Sequence, residues 1–146
     1  MYDWTKIILN QSATMRDAIE VLNSEALRIV LVVDTDERLV GTITDGDIRR
    51  ALLRHSTMDI ILSELMNTEP TIANLTDGRD QLLQKMQELD LLQIPVVDSD
   101  GQVTGLETLQ HLLEKKRYDN PVFLMAGGFG TRLRPLTEHT PKPMLN

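Results

Sequence analysis

The chain repeats itself at an offset of 64 residues, and this repeat limits the possible folds more than any other feature. The ungapped match runs from Ile8 paired with Ile72 to Arg49 paired with Leu113, and it contains nine identities in 42 pairs. Unrelated sequence of similar composition would give roughly three. A unit this short leaves an apolar sheet face uncovered, so the two units are expected to stack face to face and bury it.

Each unit predicts the order β-α-β-β-α, so the predicted fold class is α+β. In the first helix, apolar side chains recur at helical spacing from Met15 to Leu22, and Thr14 with Asp17 forms a capping-box start. Turn residues at 34–37 and 98–101 predict one hairpin in each unit. The predicted elements are residues 6–9, 15–22, 29–33, the strand that enters Gly41 and residues 45–54, followed by residues 71–73, 78–89, 94–97, the strand that enters Gly105 and residues 108–116.

The charge distribution disfavours nucleic acid as a partner. The chain has a net charge of −7, of which −8 falls on residues 1–117 and +1 on residues 118–146, whereas sequence-independent nucleic-acid binding needs a basic face. There is no cysteine, and the three histidines lack metal-ligand spacing, so no metal site is predicted. No apolar stretch approaches the roughly 20 residues of a membrane span, and no signal peptide pattern opens the chain. A cytoplasmic location without membrane association is therefore expected.

The hairpin and the following helix start of the first unit resemble a CBS motif. The resemblance rests on residues 32–34, a turn, and residues 41–47, and the second unit matches the hairpin at residues 94–105. It covers about residues 1–117. It implies that the two motifs pack into one disc, often called a Bateman module, and that adenosine or other nucleotides bind in the clefts between the motifs. It also implies a homodimer formed through paired modules.

The family pattern Gly-apolar-apolar-Thr/Ser-x-x-Asp is complete in the first unit as Gly41, Thr44 and Asp47. Gly41 lets the end of a strand approach a ligand without a Cβ. The Thr44 hydroxyl and the N–H groups at the start of the next helix can hold a phosphate, and the Asp47 carboxylate can accept hydrogen bonds from both ribose hydroxyls. The resemblance also places Thr14 near the base or the phosphate, together with main chain around residues 28–31.

The second unit departs from this pattern. Gly105 and Thr108 remain, but His111 stands where the family has an aspartate, and Glu107 places a charge just before the threonine. A solvated helix residue is the interpretation of His111. The ribose-binding carboxylate is therefore missing from the second unit, and at most one well-formed nucleotide site is predicted.

A structural role would account for the same residues without a ligand. Asp45 and Asp47 can begin a helix, where the helix dipole favours carboxylates, and Thr44 can act only as its N-cap. Arg49 and Arg50 lie on the same helix and could reach an anion bound there. The alternative function is thus a module that only dimerises or docks an enzyme.

A different signature follows the second unit. Asn120-Pro121 ends the preceding helix, and an apolar strand is predicted at residues 122–126. The glycine-rich loop after it is not a P-loop, because no Gly-Lys-Ser/Thr follows, and Leu133 replaces the third glycine of a dinucleotide fingerprint. The strand, the GGFGTRL loop at 127–133, the PLT run at 135–137 and the PKP run at 141–143 strongly resemble the N-terminal signature of sugar-1-phosphate nucleotidyltransferases.

This second resemblance implies nucleotidyl transfer from a nucleoside triphosphate to a sugar phosphate, with release of pyrophosphate. Negative charge accumulates on crowded phosphate oxygens, so positioning and electrostatic stabilisation dominate such catalysis. Arg132 and Lys142 are the implied catalytic residues, which neutralise the triphosphate and the pyrophosphate. The implied nucleoside triphosphate loop comprises Ala126, Gly127 and Gly128 near the base, Gly130 and Thr131 at the phosphate turn, and Arg132.

The acidic metal ligands and the sugar pocket of that enzyme family lie later than residue 146. Mg²⁺ is therefore expected only for a full-length enzyme. The 146-residue chain is expected to be non-catalytic, because residues 118–146 fall below the ~40 residues at which independent folding becomes credible. The predicted domains are residues 1–64 and 65–117, the two CBS repeats, and residues 118–146, the start of the transferase domain.

A third interpretation is the regulatory part of a sugar-phosphate isomerase. The CBS pairs of such isomerases carry runs like residues 44–50 of this chain. In those enzymes the pair normally follows the catalytic domain, whereas here the nucleotidyltransferase signature follows the pair. The transferase interpretation is therefore preferred.

Overall fold

A computed structural model of the chain describes residues 3–114 and Pro135. Within them, the elements follow the predicted order β-α-β-β-α twice, which confirms the α+β class. The described residues 3–114 belong to one compact unit. The helices are α1 (Met15–Ser24), α2 (Asp45–Leu53), α3 (Arg79–Glu88) and α4 (Leu109–Leu113), and the strands are β1 (Ile8–Asn10), β2 (Ile29–Val33), β3 (Leu39–Thr44), β4 (Ala73–Asn74), β5 (Gln93–Val97) and β6 (Val103–Thr108).

Both repeats begin their first strand later than the sequence predicts. Residues 6–7, predicted to be extended, belong to a 3₁₀ helix at Trp4–Ile7. The Asp3 side chain accepts a hydrogen bond from the Thr5 N–H at 3.3 Å, and such a local cap competes with strand formation. In the second repeat, the first strand covers only Ala73–Asn74.

The two three-stranded sheets are copies of each other at the 64-residue offset. In each sheet the first strand is parallel to the second, and the second is antiparallel to the third, in the orders β1-β2-β3 and β4-β5-β6. Val32 pairs with Gly41, Val96 pairs with Gly105, and a bulge follows each of these valines. The register therefore follows the sequence repeat residue by residue.

Strand β2 is buried on both faces, which explains its uninterrupted apolar sequence. Val30 and Val32 belong to the core cluster formed with α1 and α2. Ile29 and Leu31 belong to a different cluster, against which Leu106 of β6 packs. Because side chains alternate between the faces of a strand, β2 joins the helices of its own repeat to the sheet of the other. This packing confirms the predicted face-to-face arrangement.

The hairpin loops of the two repeats meet at an approximate two-fold axis. Arg38 forms an antiparallel bridge with Gln102, and these two residues are separated by the repeat offset, so each pairs with its own counterpart. The Leu39 N–H donates to the Gly101 carbonyl at 3.0 Å, and Gln102 Nε2 donates to the Asp36 carbonyl at 3.0 Å. A feature near one repeat is therefore expected to have a counterpart near the other.

An aspartate closes each hairpin turn, as the sequence predicts. Asp34 Oδ1 accepts hydrogen bonds from the backbone N–H groups of residues 36 and 38 at 2.9 and 3.0 Å. Asp98 Oδ1 accepts the equivalent two bonds, both at 2.9 Å. The turns differ at the residue with positive φ, which is Glu37 at 61° in one and Gly101 at 82° in the other. Only glycine adopts this conformation without strain.

Candidate functional site

A cavity of about 620 Å³, here called the first cavity, lies where β3 ends and α2 begins. Thr44 and Asp47 line it at the strand–helix junction, and Arg28 lines it beside β2. Its opposite wall comes from the segment between residues 66 and 71, which connects the repeats, and from the segment between residues 90 and 95, which leads into β5. The structure therefore brings two of the predicted nucleotide-binding residues to one cavity.

The junction between β3 and α2 presents backbone donors to the first cavity. Thr44 is extended, with φ of −123° and ψ of 171°, and immediately precedes α2. Asp45, Gly46 and Asp47, which form the first turn of α2, all line the cavity. The first N–H groups of an α-helix have no acceptor within the helix. The start of α2 therefore combines free donors with the positive end of a helix dipole.

Asp47 uses both carboxylate oxygens at this junction. Its Oδ2 accepts hydrogen bonds from the Thr44 N–H and the Thr44 hydroxyl, both at 2.8 Å. Its Oδ1 accepts a hydrogen bond from Arg50 Nη2 at 2.6 Å, within an ion pair. The Asp47 side chain is 12% exposed and the Arg50 side chain is 63% exposed. One oxygen is thus committed to the helix start, and the other is bound by a largely exposed side chain.

Gly41 lies next to the connecting segment and is not among the residues that line the first cavity. A Cβ at Gly41 would lie 2.7 Å from Met66 Sδ and 2.8 Å from the Asn67 carbonyl oxygen. The adjacent Thr42 exchanges two backbone hydrogen bonds with Asn67, at 3.0 and 2.9 Å. Gly41 therefore admits the connecting segment, and that segment in turn forms a wall of the first cavity.

Thr14 lies at the start of α1 and does not line the first cavity. It forms the predicted capping box, in which its hydroxyl accepts a hydrogen bond from the Asp17 N–H at 3.4 Å. Asp17 Oδ2 accepts hydrogen bonds from the N–H and the hydroxyl of Thr14, both at 2.8 Å. These two donors, the N–H above all, lower the pKa of Asp17 because they stabilise its carboxylate. A contact between Thr14 and a nucleotide stays a prediction.

Several lining residues carry no sequence signal for a binding site, whereas Arg28 begins the stretch 28–31 whose main chain the family resemblance places near the ligand. Three of them come from the connecting segment: Met66, Asn67 and Pro70. The proline predicts an extended chain there, but it does not predict which strand this segment packs against. Arg28 and Asp90 line the first cavity with positive φ values of 53° and 52°. Such conformations are uncommon for residues other than glycine, and they concentrate at functional sites.

A second cavity, of about 770 Å³, occupies the equivalent position in the second repeat. Three of its lining residues are the repeat counterparts of residues at the first cavity: Thr108 of Thr44, His111 of Asp47 and Glu114 of Arg50. His111 Nδ1 lies 2.9 Å from Glu107 Oε2, and the His111 side chain is 64% exposed. Among the described residues that line this cavity, none is a lysine or an arginine. The described lining of the second cavity therefore offers no arginine or lysine to a phosphate, unlike that of the first cavity.

The predicted transferase loop at residues 126–132 and the predicted catalytic residues Arg132 and Lys142 lie outside the described residues. In the part of the chain that is described, no three His, Asp or Glu side chains come together as metal ligands. Over the same residues, every helix is too short or too polar to cross a lipid bilayer. What the first cavity offers is a set of binding groups of both charges, with Arg28 and Arg50 near Asp47.

Residues 4–54 and 62–117 match the CBS domain family, and residues 122–146 match the nucleotidyl transferase family. Solved structures with this fold include the CBS domains of a transcriptional regulator from Streptococcus pneumoniae, with a TM-score of 0.68 and 19% identity over 79% of this chain and 94% of that one. A CBS domain protein from Pyrobaculum aerophilum complexed with AMP has a TM-score of 0.66 and 20% identity over 80% of this chain and 93% of that one.

Among curated proteins, an arabinose 5-phosphate isomerase from Shigella flexneri is 29% identical over 99 residues, which is 68% of this chain and 31% of the isomerase. The chain spans less than a third of the length of the curated relatives it matches. The CBS matches cover more than half of the chain, and their two spans coincide with the two repeats of the fold. The chain therefore belongs to the CBS domain family and carries two tandem copies of the domain.

Proposed function

We propose that this chain is the regulatory, nucleotide-sensing part of a sugar-1-phosphate nucleotidyltransferase. The observation that carries the sensing role is the first cavity, where Thr44, Asp47 and Arg50 meet at the start of α2. The match of residues 122–146 to the nucleotidyl transferase family supports the assignment of the enzyme. A nucleotide in the first cavity tunes that enzyme if it binds two states of the full protein with different affinity.

The groups that line the first cavity suit the three parts of a nucleotide. Arg28, Arg50 and the N–H groups at the start of α2 suit a phosphate. Asp47 suits the ribose diol, as acidic residues do in dinucleotide-binding folds. Leu92, which lines the cavity and is 61% exposed, offers apolar surface to a base. The cavity volume of about 620 Å³ also falls within the roughly 300–1,000 Å³ of typical small-molecule sites.

The ligand class follows from the relatives and from the cavity together. The Pyrobaculum aerophilum protein, which has this fold, is complexed with AMP. AMP carries each of the three parts that the first cavity suits, so adenosine nucleotides are the proposed ligand class. For the downstream enzyme, Arg132 and Lys142 are proposed to neutralise the phosphates of the substrate and the product. Mg²⁺ remains an expectation for the full-length enzyme.

A sugar-phosphate isomerase is the second candidate for the regulated enzyme, and the identity to the arabinose 5-phosphate isomerase favours it. That similarity spans 68% of this chain, which is no more than the CBS pair itself. Residues 122–146, by contrast, match the nucleotidyl transferase family. An assay of a chain extended past Asn146 separates the candidates. Release of pyrophosphate from a nucleoside triphosphate and a sugar 1-phosphate supports the transferase, and aldose–ketose isomerisation contradicts it.

Isothermal titration of the 146-residue chain with AMP, GMP and CMP tests the sensing role. Asp47→Asn keeps the size of the side chain but removes its charge, so we expect it to lose about tenfold or more in nucleotide affinity. Asp34→Asn is the matched control, because Asp34 Oδ1 also accepts two hydrogen bonds, from the backbone N–H groups of residues 36 and 38, and Asp34 does not line the first cavity. Both variants are expected to lose similar stability, and only Asp47→Asn to lose affinity.

Two results would contradict the sensing role. One is the absence of nucleotide binding at millimolar concentration, and the other is undiminished binding in Asp47→Asn. The alternative would then be a module that only dimerises. Exposed apolar side chains favour such a contact surface, among them Leu53 of α2 at 75% and Leu113 of α4 at 55% exposure. Sedimentation with and without AMP identifies this alternative as a dimer that the nucleotide does not change.

A further inference from the structure

We infer that the ion pair between Asp47 and Arg50 makes the first cavity select ligands that carry a ribose diol and a phosphate together. The inference rests on the proposed nucleotide site and assigns a specificity-determining role to Arg50. The two side chains bind each other in the structure, because Arg50 Nη2 lies 2.6 Å from Asp47 Oδ1. A ligand that uses either side chain must first separate it from the other.

The Asp47 carboxylate has only one oxygen to offer a ribose. Its Oδ2 already accepts two hydrogen bonds from Thr44 at 2.8 Å, and these bonds hold the start of α2. Its Oδ1 is the oxygen that Arg50 occupies. With Arg50 in place the Asp47 side chain is only 12% exposed, so the guanidinium covers Oδ1. A ribose hydroxyl that replaces the guanidinium keeps this oxygen hydrogen-bonded. Removal of Arg50 from this ion pair is therefore favourable only if a new donor reaches Oδ1.

Arg50 is in the opposite situation, because its side chain is 63% exposed and can turn toward a phosphate while solvent hydrates it. A guanidinium binds phosphate oxygens through two parallel N–H groups. A phosphate alone would draw Arg50 away and leave Asp47 Oδ1 without a partner. A diol alone would displace Arg50 without giving it a new partner. A 5′-ribonucleotide satisfies both side chains in one exchange.

Isothermal titration of the 146-residue chain with AMP, adenosine and 2′,3′-dideoxy-AMP measures this requirement. The wild-type chain is expected to bind AMP about 30-fold more tightly than either of the other two ligands. In Arg50→Gln, AMP affinity should fall by about tenfold. Adenosine affinity should instead rise by roughly threefold, because no cation then occupies Asp47 Oδ1. A side chain that merely contacted phosphate would leave the adenosine affinity unchanged.

Arg54→Gln is the matched control, since Arg54 is exposed at the end of α2 and does not line the first cavity. It should change neither affinity. Arg50→Lys, which keeps the positive charge but not the paired N–H groups, should retain more AMP affinity than Arg50→Gln. Thermal unfolding of each variant checks that it is folded. If the adenosine affinity of Arg50→Gln is unchanged or lower than that of the wild type, the inference is overturned. The proposed function still stands in that case if Asp47→Asn loses AMP affinity. No AMP binding to the wild-type chain overturns both.

Discussion

Replacement of Gly41 by alanine tests how the connecting segment is held against β3. The new Cβ would lie 2.7 Å from Met66 Sδ and 2.8 Å from the Asn67 carbonyl oxygen, whereas ordinary van der Waals contact begins near 3.4 Å. The Met66 side chain can move aside. The Asn67 carbonyl oxygen cannot move alone, because it is backbone and accepts the Thr42 N–H at 3.0 Å.

The expected loss of stability follows from the two ways in which the connecting segment can respond to the new Cβ. It can stay in place at an overpacking cost of about 1–3 kcal/mol, or it can move away and lose two hydrogen bonds of about 1 kcal/mol each. Either response costs about 2 kcal/mol, and alanine returns about 0.5 kcal/mol by restricting the unfolded chain. The free energy of unfolding of Gly41→Ala is therefore expected to fall by about 1.5 kcal/mol.

The equivalent glycine of the second repeat provides the control. A Cβ at Gly105 would lie 3.8 Å from the nearest atom, on Val96, which is ordinary contact. Gly105→Ala should then gain about 0.5 kcal/mol, so the two variants differ by about 2 kcal/mol. For a unit of this size the difference amounts to about 8 °C in Tm.

Urea and thermal unfolding of the 146-residue chain, followed by far-ultraviolet circular dichroism, measure both variants. Met66→Ala in the Gly41→Ala background should not restore stability, because the Asn67 carbonyl oxygen still stands at 2.8 Å. Equal stability of Gly41→Ala and Gly105→Ala would refute the reasoning, since the two sites differ only in what faces the new Cβ. Restoration by Met66→Ala would show that the side chain, and not the backbone, is the obstacle.

Two further predictions concern turn strain and acid. Glu37 holds φ of 61° where the other hairpin has Gly101, so Glu37→Gly should gain about 0.5–1 kcal/mol and Gly101→Ala should lose a similar amount in urea unfolding; shifts of the same sign would contradict the strain argument. The pKa of Asp17 lies below its ordinary value of 3.8 in the folded chain, so its contribution to stability is present above pH 3.8 and is lost as the pH falls through the lowered pKa. The Tm difference between wild type and Asp17→Asn should therefore shrink below pH 3.8, and a difference that grows there would contradict the assignment.

The elements and their order could be predicted because their determinants are local. The apolar run of β2, the aspartates at 34 and 98 and the capping box at Thr14 each act within a few residues of chain. The error at residues 6–7 is local too, because the Asp3 cap favours a 3₁₀ turn over an extended start. The spacing of hydrophobic residues does not indicate such a cap.

The candidate site could be predicted only in part. Thr44 and Asp47 were identifiable because, with Gly41, they complete the Gly-apolar-apolar-Thr/Ser-x-x-Asp pattern of the family that the chain resembles, and the structure places both at the first cavity. The predicted role of Gly41 referred to a ligand, yet its missing side chain admits Met66 and Asn67. A local sequence pattern does not indicate which distant segment packs against a strand.

The sequence by itself determined the two repeats, the order of their elements and the position of one threonine and one carboxylate at the start of α2. These features depend on side-chain alternation, turn residues and helix capping, which act over a few residues. Only the tertiary structure decided which segments enclose that threonine and carboxylate. The physical reason is that the far wall of the first cavity comes from segments that begin 19 residues after Asp47, and their position depends on how the two sheets pack around the shared axis.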